Sequence, residues 1–453
     1  MKHIALTVGP ITDTLILGRK TSEIWMASYL FSSFMKKIIL EIKTTTDALF
    51  LVPFVNDTTI FETQDDGIGF FHDRFILTSE TLDIKQISMI LTKHKQEFAK
   101  MVATTIKRDE EKVTQFFESY LQTYLYESEE EFSNPILDIS SILDSIELHT
   151  PKLEAEEDYI RLFLNRNTLL NSQLAKESFG GKPSFNSIEA IAAQESDENF
   201  QAQNAQKYIA IVHADGDNLG AYIRSETDSA TVSKNLFEFD KKAVQRIKGY
   251  GALPLFVGGD DLLFFAPVMN AQKETIFDLV EKLSKDYKDA LGTDKSTLSF
   301  GISITYYKYP LYEALEKSRK ALFEVAKNYK NKNAVAISAQ KHSGQSFDFC
   351  LAKDEEVYGS FTSLIKNVLN EEVSLPHAIH HKLHKHQMLF KHINYKQLQS
   401  SFKNIFNEDI HISKFKVGLT LLVNLMEKLG LQESQQEKLF SMLSTIKLIR
   451  GDR

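Results

Sequence analysis

Two stretches decide the fold: residues 208–220, YIAIVHADGDNLG, and residues 252–268, ALPLFVGGDDLLFFAPV. The first is an apolar run that ends in Asp215, Gly216 and Asp217, and the second is a pair of apolar runs around a Gly-Gly-Asp-Asp turn. Short apolar runs bounded by glycine and aspartate are typical of β-strands joined by tight turns. The sequence therefore predicts a strand and a later hairpin, with carboxylates at the ends of both.

Helical patterns and further strands follow these two stretches. Apolar residues recur at helical spacing in residues 270–291 and 310–330, and the strand-like runs TLSFGISITYY and NAVAISA come after them in turn. With the helix between the first strand and the hairpin, the order is β-α-β-β-α-β, which is the ferredoxin-like arrangement, extended by one helix and one strand. We assign this unit to residues 207–353.

The first 165 residues open in a similar way. An apolar strand, IALTVGP, precedes a helical pattern over residues 12–42, and the strand-like runs DALFLVPF and GFFHDRFIL flank the acidic turn TQDDG. From residue 84 to about residue 174 the pattern is helical and charged, and its acidic part, EEKVTQFFESYLQTYLYESEEEF, is interpreted as a solvated helix face. Residues 1–165 are therefore interpreted as a strand with a covering helix and a hairpin, followed by a helical extension.

The remaining segments connect and close the two units. Residues 166–206 combine GGKPSFNS with the polar run SDENFQAQNAQ, a composition typical of a linker. Residues 354–453 show helical periodicity without convincing strands, which predicts a small helical domain. The residues predict an α+β fold class, with a ferredoxin-like domain at residues 207–353, helical segments and a C-terminal helical domain.

The bulk composition excludes several classes of protein. A net charge of −8 argues against a uniformly positive surface that coats nucleic acid, and the single cysteine, Cys350, excludes an internal disulfide or a thiolate-rich zinc site. No apolar run approaches the roughly 20 residues that a membrane-spanning helix needs. The start, MKHIALTVGP, lacks the pattern of a signal peptide. We therefore expect a cytoplasmic protein without membrane contact.

Three carboxylates are the candidate catalytic residues and metal ligands. Asp215 ends the strand, and Asp260 and Asp261 lie at the tip of a hairpin that pairs beside that strand in this topology. Nucleotidyl transfer uses divalent ions about 4 Å apart, held by converging carboxylates, and Mg²⁺ prefers such oxygen ligands. The pattern therefore predicts a metal-dependent nucleotidyltransferase site.

The strand-end motifs could also be plain turns. Gly258 and Gly259 permit a positive φ and leave room for a phosphate or ribose, but glycine and aspartate also favour plain turns. Both motifs occur at strand ends in the right order, and clustered acids are costly to bury without a cation, so a metal site is favoured over two turns. Asp217 is left with two roles, completing the metal shell or capping the following helix.

The sequence leaves the roles of several cationic and histidine side chains undecided. Arg319, Lys320, Lys327 and Lys330 could reach a triphosphate, although a solvated helix face is the better interpretation for any one of them. His213 is interpreted as a strand residue packed under the site. A histidine cluster could bind a metal, form a basic face that contacts RNA or a neighbouring subunit, or be solvated; it comprises His377, His380, His381, His384, His386 and His392.

Four segments resemble the large, polymerase-like subunit of type III CRISPR effector complexes, most closely of the Cmr branch. They are VGPITDTLILGRKTSEIWMASYLFS, KPSFNSIEAIA, HADGDNLG with GGDD, and SRKALFEVAKNYKNKNAVAI. The palm motifs alone are shared with GGDEF cyclases, whereas the opening and linker segments are more specific. The resemblance extends over nearly the whole chain. It implies that residues 1–165 form a first palm domain and residues 207–353 a second, so that the α+β fold contains two ferredoxin-like (palm) domains.

The resemblance implies residue roles and a reaction. It implies that Asp215, Gly216, Asp260 and Asp261 bind two Mg²⁺ or Mn²⁺ ions, and that Gly216, Gly258, Gly259 and Lys327 lie against the nucleotide. It implies ATP as substrate and a second messenger as product, made when target RNA pairs with guide RNA in a complex with other type III subunits. The product is cyclic oligoadenylate or, with S-adenosylmethionine as acceptor, an AMP conjugate.

The chain departs from the family pattern in three places. It starts at the first palm domain without a preceding His-Asp nuclease motif, so we expect no DNA cleavage by this subunit. One cysteine cannot build the zinc module that many members carry. The first palm is expected to be degenerate and to help hold the second nucleotide, with Asp65 and Asp66 as turn residues.

Two other functions are compatible with the sequence. A GGDEF-like diguanylate cyclase is disfavoured because Asp261 stands where that family has glutamate and because no sensory domain is evident; preferential GTP use would favour it. A catalytically silent scaffold subunit is disfavoured by the intact carboxylates, and an unchanged product yield in an Asp260→Ala, Asp261→Ala variant would favour it.

Overall fold

The computed structural model describes residues 2–53, 55, 61, 67–149, 157–178, 186–193, 207–225, 229–373, 375, 379–385, 397, 400–401, 413–430 and 432–451. Its strands are β1 Lys2–Gly9, β2 Leu49–Val52, β3 Arg74–Ser79, β4 Gln122–Ser128, β5 Tyr208–Asp217, β6 Leu253–Gly258, β7 Asp261–Pro267, β8 Thr297–Tyr306, β9 Ala334–Gln340 and β10 Ser346–Ala352.

The helices cover the sheets and form the C-terminal region. They are α1 Ile11–Leu17, α2 Thr21–Thr45, α3 Ile84–Ile106, α4 Glu110–Tyr120, α5 Pro135–Ile146, α6 Tyr159–Leu164, α7 Arg166–Leu169, α8 Gln173–Ser178, α9 Ile188–Ala193, α10 Leu219–Ser225, α11 Ser229–Tyr250, α12 Ile276–Leu291, α13 Leu311–Lys320, α14 Glu356–Leu369, α15 Ile379–Lys385, α16 Ser413–Leu429 and α17 Glu433–Arg450. A π-helix, Ala321–Ala326, continues α13.

The first sheet has the strand order β2-β3-β1-β4 and is antiparallel throughout. With α2 between β1 and β2, and α3 and α4 between β3 and β4, this is the ferredoxin-like order predicted for the N-terminal part. We call β1 to β4 with these helices the first unit. The predicted hairpin is present as β2 and β3, and Phe50 pairs with Leu77.

The prediction was wrong for the acidic stretch before residue 132. Residues 122–128 form β4 and pair with β1 along its length, from Gly9 with Gln122 to His3 with Ser128. The Thr-Tyr-Leu-Tyr composition favours a strand, and pairing with β1 completes the sheet, which overrides the helical charge pattern. The helix predicted over residues 12–42 is also divided, because α1 ends before Gly18, where a Cβ would lie 2.9 Å from the backbone nitrogen of Ile24.

The second sheet has the order β10-β9-β8-β5-β7-β6. Strands β5 to β8 with α11 and α12 repeat the ferredoxin-like order, and β9 joins β8 in parallel after α13, as predicted. We call this the second unit. Strand β10, Ser346–Ala352, was not predicted; it pairs antiparallel with β9 and brings Cys350 into a buried position.

The two faces of the second sheet pack against different layers. On one face of β5 and β7, alternate residues share a core with the first unit: Ile209, Ile211, Leu263 and Phe265. On the other face, the intervening residues pack towards α11, α12 and the C-terminal helices: Ala210, Val212, Phe264 and Ala266. Side chains of a strand alternate between faces, so a run that is apolar throughout is buried on both sides. The two units therefore share one continuous apolar layer.

The segment predicted as a linker contains three short helices, α7, α8 and α9. Leu169, Leu174 and Ile191 are buried in the core of the first unit, so these described parts pack instead of bridging through solvent. The C-terminal region is helical over its described residues, as predicted. Across the described part of the chain, no helix is both long and apolar enough to cross a membrane.

Candidate functional site

The ends of β5 and β7 bring Asp215 and Asp261 to one edge of the second sheet. Ala214 pairs with Leu262 in the antiparallel register of these strands, and the next position in that register sets Asp215 opposite Asp261. Asp260 occupies the turn just before β7. The structure therefore brings together the three carboxylates that the sequence pattern singled out.

Gly216 allows Asp260 to pack against the end of β5. A Cβ on Gly216 would lie 2.7 Å from Asp260 Cβ and 2.9 Å from the hydroxyl of Tyr287, and would overlap the Asp260 carboxylate. Tyr287 is fully buried, and its hydroxyl lies 2.9 Å from Ser296 Oγ, so it cannot easily give way. Glycine is therefore required here by the close approach of a carboxylate to the backbone.

Gly258 and Gly259 have a different neighbour from the one that the sequence suggested. A Cβ on Gly259, whose φ is +67°, would lie 2.8 Å from the imidazole of His72, and one on Gly258 would lie 2.8 Å from the ring of Phe256. The space that a Cβ would take at these two glycines is filled by protein side chains, while Gly259 also lines a cavity together with Asp260. The glycines let the first unit pack onto the turn.

Burial and mutual repulsion raise the pKa values of the three carboxyls. Burial, then the neighbouring Asp215, raises the pKa of Asp260 to about 7. Burial raises the pKa of Asp261 well above its usual range, and Asp260, Asp215 and Asp73 act in the same direction. Burial also raises the pKa of Asp215, against the attraction of Lys327. Such acids favour a bound cation.

Lys327 supplies a positive charge inside this site. It follows the π-helix, and its Nζ lies 2.5 Å from Asp215 Oδ1, 2.5 Å from the carbonyl oxygen of Gly216 and 3.1 Å from Asp217 Oδ1. The ammonium also donates to the carbonyl oxygen of Asp215 at 3.0 Å. Lys327 therefore contacts the strand end itself.

Asp217 has a structural role that neither predicted alternative described. The side chain is fully buried, and Oδ2 accepts hydrogen bonds from Thr297 Oγ1 at 2.9 Å, Ser299 Oγ at 2.8 Å and the backbone N–H of Asn333 at 3.0 Å. Its other oxygen faces Lys327. Asp217 ties the end of β5 to β8, to the start of β9 and to Lys327, and it does not cap α10 in the described contacts.

Asp240 on α11 was missed by the sequence analysis. Only 3% of its surface is exposed, and Oδ2 accepts the backbone N–H of Gly259 at 2.8 Å. Burial raises its pKa well above the usual range, which is opposed by the Gly259 hydrogen bond. Asp240 therefore anchors the Gly-Gly-Asp-Asp turn from behind. It lies in the middle of a charged helical pattern, so its position in the sequence carried no signal.

The first unit reaches the turn through residues 67–74. Gly69 and Phe256 form an isolated parallel bridge, in which Gly69 donates to the carbonyl of Leu255 at 3.4 Å and Val257 donates to the carbonyl of Gly69 at 3.0 Å. This bridge delivers His72 and Asp73 to the turn. Burial lowers the pKa of His72 to about 4, so its imidazole is uncharged at neutral pH.

Two cavities flank the turn, and both units line each of them. One has a volume of about 240 Å³ and includes Ile11, Phe31, His213, Arg319 and Phe323; the other has a volume of about 320 Å³ and includes Pro53, Ser233, Phe237, Asp240 and Asp260. His72, Asp73 and Asp261 line both cavities. Largely apolar walls with a few convergent carboxylates are typical of small-molecule sites.

The other predicted cations do not approach the carboxylates in the described contacts. Arg319 bonds Glu316 at 2.8 Å, Lys320 lies 3.7 Å from the same carboxylate, and Lys330 lies 2.5 Å from Glu355. His213 is half-buried beside the site, with Nδ1 2.9 Å from Ser318 Oγ.

Some predictions fall outside what is described. Asp65, Asp66, His377, His386 and His392 lie outside the described residues. His380, His381 and His384 are on α15, but the structure does not describe their side chains.

The donor chemistry fits a divalent ion, but the side chains are not arranged as a closed metal site. Within the described residues, no group of three or more His, Cys, Asp or Glu side chains is placed to hold a metal ion. The carboxylates of Asp215, Asp260 and Asp261 are hard oxygen donors with raised pKa values, which suits Mg²⁺ or Mn²⁺. These residues therefore fit a divalent ion by ligand type and charge.

Family comparisons match both units. The family described as "Cas10/Cmr2, second palm domain" matches residues 208–336, and that described as "CRISPR-associated protein Cmr2, N-terminal" matches residues 3–115. The two matches together span more than half of the chain. The curated protein "CRISPR system Cmr subunit Cmr2" of Pyrococcus furiosus is 29% identical over 197 residues, which are 37% of this chain and 22% of that protein. This match spans about a fifth of the relative's length.

Solved structures share the fold over the whole chain. The type III-B Cmr-beta structure in the apo state matches with a TM-score of 0.64 at 10% identity, covering 100% of this chain and 82% of that chain. The Csm1-Csm4 cassette in complex with one ATP matches with a TM-score of 0.54 at 14% identity, and the cassette in complex with cA4 with 0.53 at 13% identity. Each covers 100% of this chain and 70% of the matched chain. At such identities the likeness shows a common fold.

Proposed function

This chain belongs to the Cas10/Cmr2 family, and we propose that it is the polymerase-like large subunit of a type III CRISPR effector complex that makes a nucleotide second messenger from ATP. The observation that carries the proposal is the convergence of Asp215, Asp260 and Asp261 at the edge of a ferredoxin-like sheet. Asp260 packs onto Gly216, and burial and repulsion raise the pKa values of all three carboxyls.

The carboxylates would hold the catalytic metal. Asp215, Asp260, Asp261 and the carbonyl of Gly216 are the oxygens available, and two Mg²⁺ or Mn²⁺ ions bound there would neutralise triphosphate charge and favour ionisation of the attacking hydroxyl. The raised pKa values support this, because a bound cation would relieve the repulsion among the carboxylates.

The chain itself contributes positioning and exclusion of water. Asp240 fixes the backbone of the turn through Gly259, and Asp217 holds β5, β8 and the start of β9 together. Lys327, at the end of the π-helix, is a cation within reach of the same strand end and is proposed to contact the triphosphate. The apolar walls of the two cavities would exclude water around the reacting groups.

Two nucleotides would occupy the two cavities on either side of Asp261. The 3′-hydroxyl of one ATP attacks the α-phosphorus of the other, and pyrophosphate leaves. Solved relatives of the same fold contain one ATP and cA4, which supports ATP as substrate and cyclic oligoadenylate as product. An AMP conjugate with S-adenosylmethionine as the acceptor is the alternative product.

The partners proposed are other type III effector subunits, with guide RNA and target RNA held by the complex. The similar chains come from Cmr-beta and from the Csm1-Csm4 cassette, and one Cmr-beta structure is bound to cognate target RNA. Target RNA would control synthesis of the messenger in antiviral defence.

A catalytically silent scaffold subunit is the second candidate, and one observation favours it. The ammonium of Lys327 neutralises part of the acidic charge by contacting Asp215 and Asp217, and no described group of three acidic, histidine or cysteine side chains is arranged to hold a metal. In this role the chain would organise the complex without transferring nucleotides.

Product analysis separates the two candidates. The chain, assembled with its guide-RNA complex, is incubated with labelled ATP, Mg²⁺ or Mn²⁺ and target RNA, with and without S-adenosylmethionine, and products are identified by mass spectrometry. Oligoadenylates or an adenylated conjugate that vanish in the Asp260→Ala, Asp261→Ala variant support the enzyme. No product, or an unchanged yield in that variant, supports the scaffold; preference for GTP would indicate a diguanylate cyclase.

A further inference from the structure

Asp73 is the counterpart, in the first unit, of Asp261 in the second. The strand order β2-β3-β1-β4 matches β6-β7-β5-β8, so β3 and β7 are equivalent strands beside the central one. Asp261 is the first residue of β7, and Asp73 immediately precedes β3. Both carboxylates therefore stand at the start of the same strand in two copies of one topology.

The backbone around Asp73 is held firmly. Val8 donates to the carbonyl oxygen of Asp73 at 2.8 Å, and Thr7 pairs with Arg74 in the first sheet. On the preceding side, the N–H of Phe71 donates to Ser32 Oγ at 2.9 Å. With the bridge at Gly69, these contacts fix residues 69–74 against both units. A carboxylate on such a segment has a defined position in the cleft.

The Asp73 carboxylate takes part only in a long ion pair, with Arg74, in the described contacts. Arg74 Nε lies 3.8 Å away, longer than a hydrogen bond, while the Arg74 guanidinium is engaged by Asp144 at 2.9 Å and Glu147 at 3.1 Å. The side chain of Asp73 is 36% exposed. A fixed carboxylate whose only cationic neighbour in the described contacts is this distant guanidinium is available to a ligand.

Asp73 also lies where the two cavities meet. It lines both the 240 Å³ and the 320 Å³ cavity, and it shares this property with Asp261 and His72. If one nucleotide occupies each cavity, the bond between them must form at this junction. Asp73 approaches the junction from the first unit, whereas Asp261 approaches it from the second.

We propose that Asp73 orients the attacking nucleotide by accepting a hydrogen bond from its ribose 3′-hydroxyl. As the O3′ to Pα bond forms, the bond from Pα to the leaving oxygen breaks, pyrophosphate departs with that electron pair, and the hydroxyl proton passes to Asp73 and then to solvent. This inference rests on the proposed function and adds to it a residue from the first unit that touches the substrate.

A binding measurement tests the hydrogen bond independently of turnover. The full chain is titrated calorimetrically with ATP and with 3′-deoxyATP, with Ca²⁺ in place of Mg²⁺. Because a hydrogen bond to a charged group contributes on the order of 1.5 kcal/mol, the wild type should bind ATP roughly tenfold more tightly than 3′-deoxyATP, and Asp73→Ala should bind both equally. A wild type without this preference, or Asp73→Ala with it, would overturn the assignment.

Asp144→Asn is the matched control. It removes a carboxylate that bonds the same Arg74 guanidinium but lines neither cavity, and it should keep both the preference for ATP and the product yield. Loss of the preference in Asp144→Asn as well would assign the effect to the Arg74 network instead of Asp73. Melting temperatures identify a variant that fails to fold. Asp73→Asn, which keeps the shape of the side chain, is then used; its amide oxygen can still accept the hydrogen bond but cannot take the proton, so product yield should fall while part of the preference for ATP is kept.

Product yield separates this inference from the proposed function. Product yield at saturating ATP that falls roughly 100-fold from the wild type to Asp73→Ala, beyond the roughly tenfold loss of ATP affinity expected from the hydrogen bond, supports the proton transfer. Wild-type yield in Asp73→Ala overturns the role of Asp73 and leaves the proposed function standing. A wild type that makes no product overturns the proposed function, and the proton transfer with it.

Discussion

The two ferredoxin-like units share a topology but end their central strands differently. Strand β1 ends in Val8 and Gly9, whereas β5 ends in Asp215, Gly216 and Asp217. A Cβ on Gly9 would meet only Gln122 Oε1 at 3.6 Å, an ordinary contact, whereas one on Gly216 would overlap Asp260. The common sheet supplies the frame, and the residues at the strand ends decide which unit can carry chemistry.

The comparison also shows what the first unit contributes. It has no carboxylate at the end of β1, but its segment 67–74 packs onto the turn of the second unit and brings Asp73 and His72 to both cavities. The expectation that the first palm domain helps to hold a nucleotide stays a proposal, and Asp73 and His72 are its candidate residues.

Lys327→Met should have the largest effect on stability. The variant leaves the fully buried Asp217 without its cation, which typically costs about 3–5 kcal/mol. Chemical denaturation of the full chain measures this loss. Lys330→Met is the control, because Lys330 is 66% exposed and its pair with Glu355 contributes under about 1 kcal/mol. Equal losses in both variants would contradict a special role for Lys327 in the second unit.

Gly216→Ala against Gly9→Ala tests the two strand ends directly. The new methyl group displaces Asp260 in the second unit, so a loss of about 1–3 kcal/mol is expected together with a large loss of product, while the same change in the first unit should be nearly neutral. Thermal unfolding and product yield are measured in parallel. Tolerance of Gly216→Ala would mean that the position of Asp260 does not matter.

Asp260→Asn, Asp261→Asn should stabilise the metal-free chain. Burial and repulsion raise the pKa values of both acids, so at neutral pH ionisation favours the unfolded chain, and removing the two carboxyls should add about 2 kcal/mol. The melting temperature should rise without Mg²⁺ and no longer respond to Mg²⁺. A lower melting temperature would show that the acids stabilise the fold.

Lys95 in the first unit is another partly buried lysine, and its removal should change stability less than the removal of Lys327. Lys95 donates to the carbonyl oxygen of Leu121 at 2.6 Å, and burial lowers its pKa to about 8, from a usual value near 10.5. Between these two values the unfolded chain binds more protons, so wild-type stability relative to Lys95→Met should rise with pH by roughly 1–3 kcal/mol and be lowest below pH 8. A flat difference from pH 7 to pH 10.5 would contradict the shift.

The sequence predicted the parts of the second unit whose signals are local. Alternating apolar runs, their order and the strand-end aspartates were enough to predict the ferredoxin-like order and the meeting of Asp215 with Asp261. Strand β4 was not predicted because it lies between acidic segments whose pattern resembles a solvated helix. Strand β10 was not predicted because Ser346–Ala352 mixes polar and apolar residues. In both cases sheet pairing supplied information that a short window does not contain.

Contacts between segments that are distant in the sequence could not be predicted from it. Asp240 and the packing of His72 on Gly259 depend on how separate segments meet in space. Asp73 did carry a signal, since it precedes the apolar run of β3 as Asp261 precedes that of β7, but it is a single aspartate without the adjacent glycines of the Gly-Gly-Asp-Asp turn.

Pyrophosphate release from ATP is the most direct test of the central claim. The full chain in its guide-RNA complex, with target RNA and Mg²⁺, is compared with the Asp260→Asn, Asp261→Asn variant. The account predicts steady release by the wild type and a loss of at least about 1000-fold in the variant, which folds normally. Equal release by both proteins, or none by the wild type, would contradict the assignment of nucleotidyl transfer to the strand ends of the second unit.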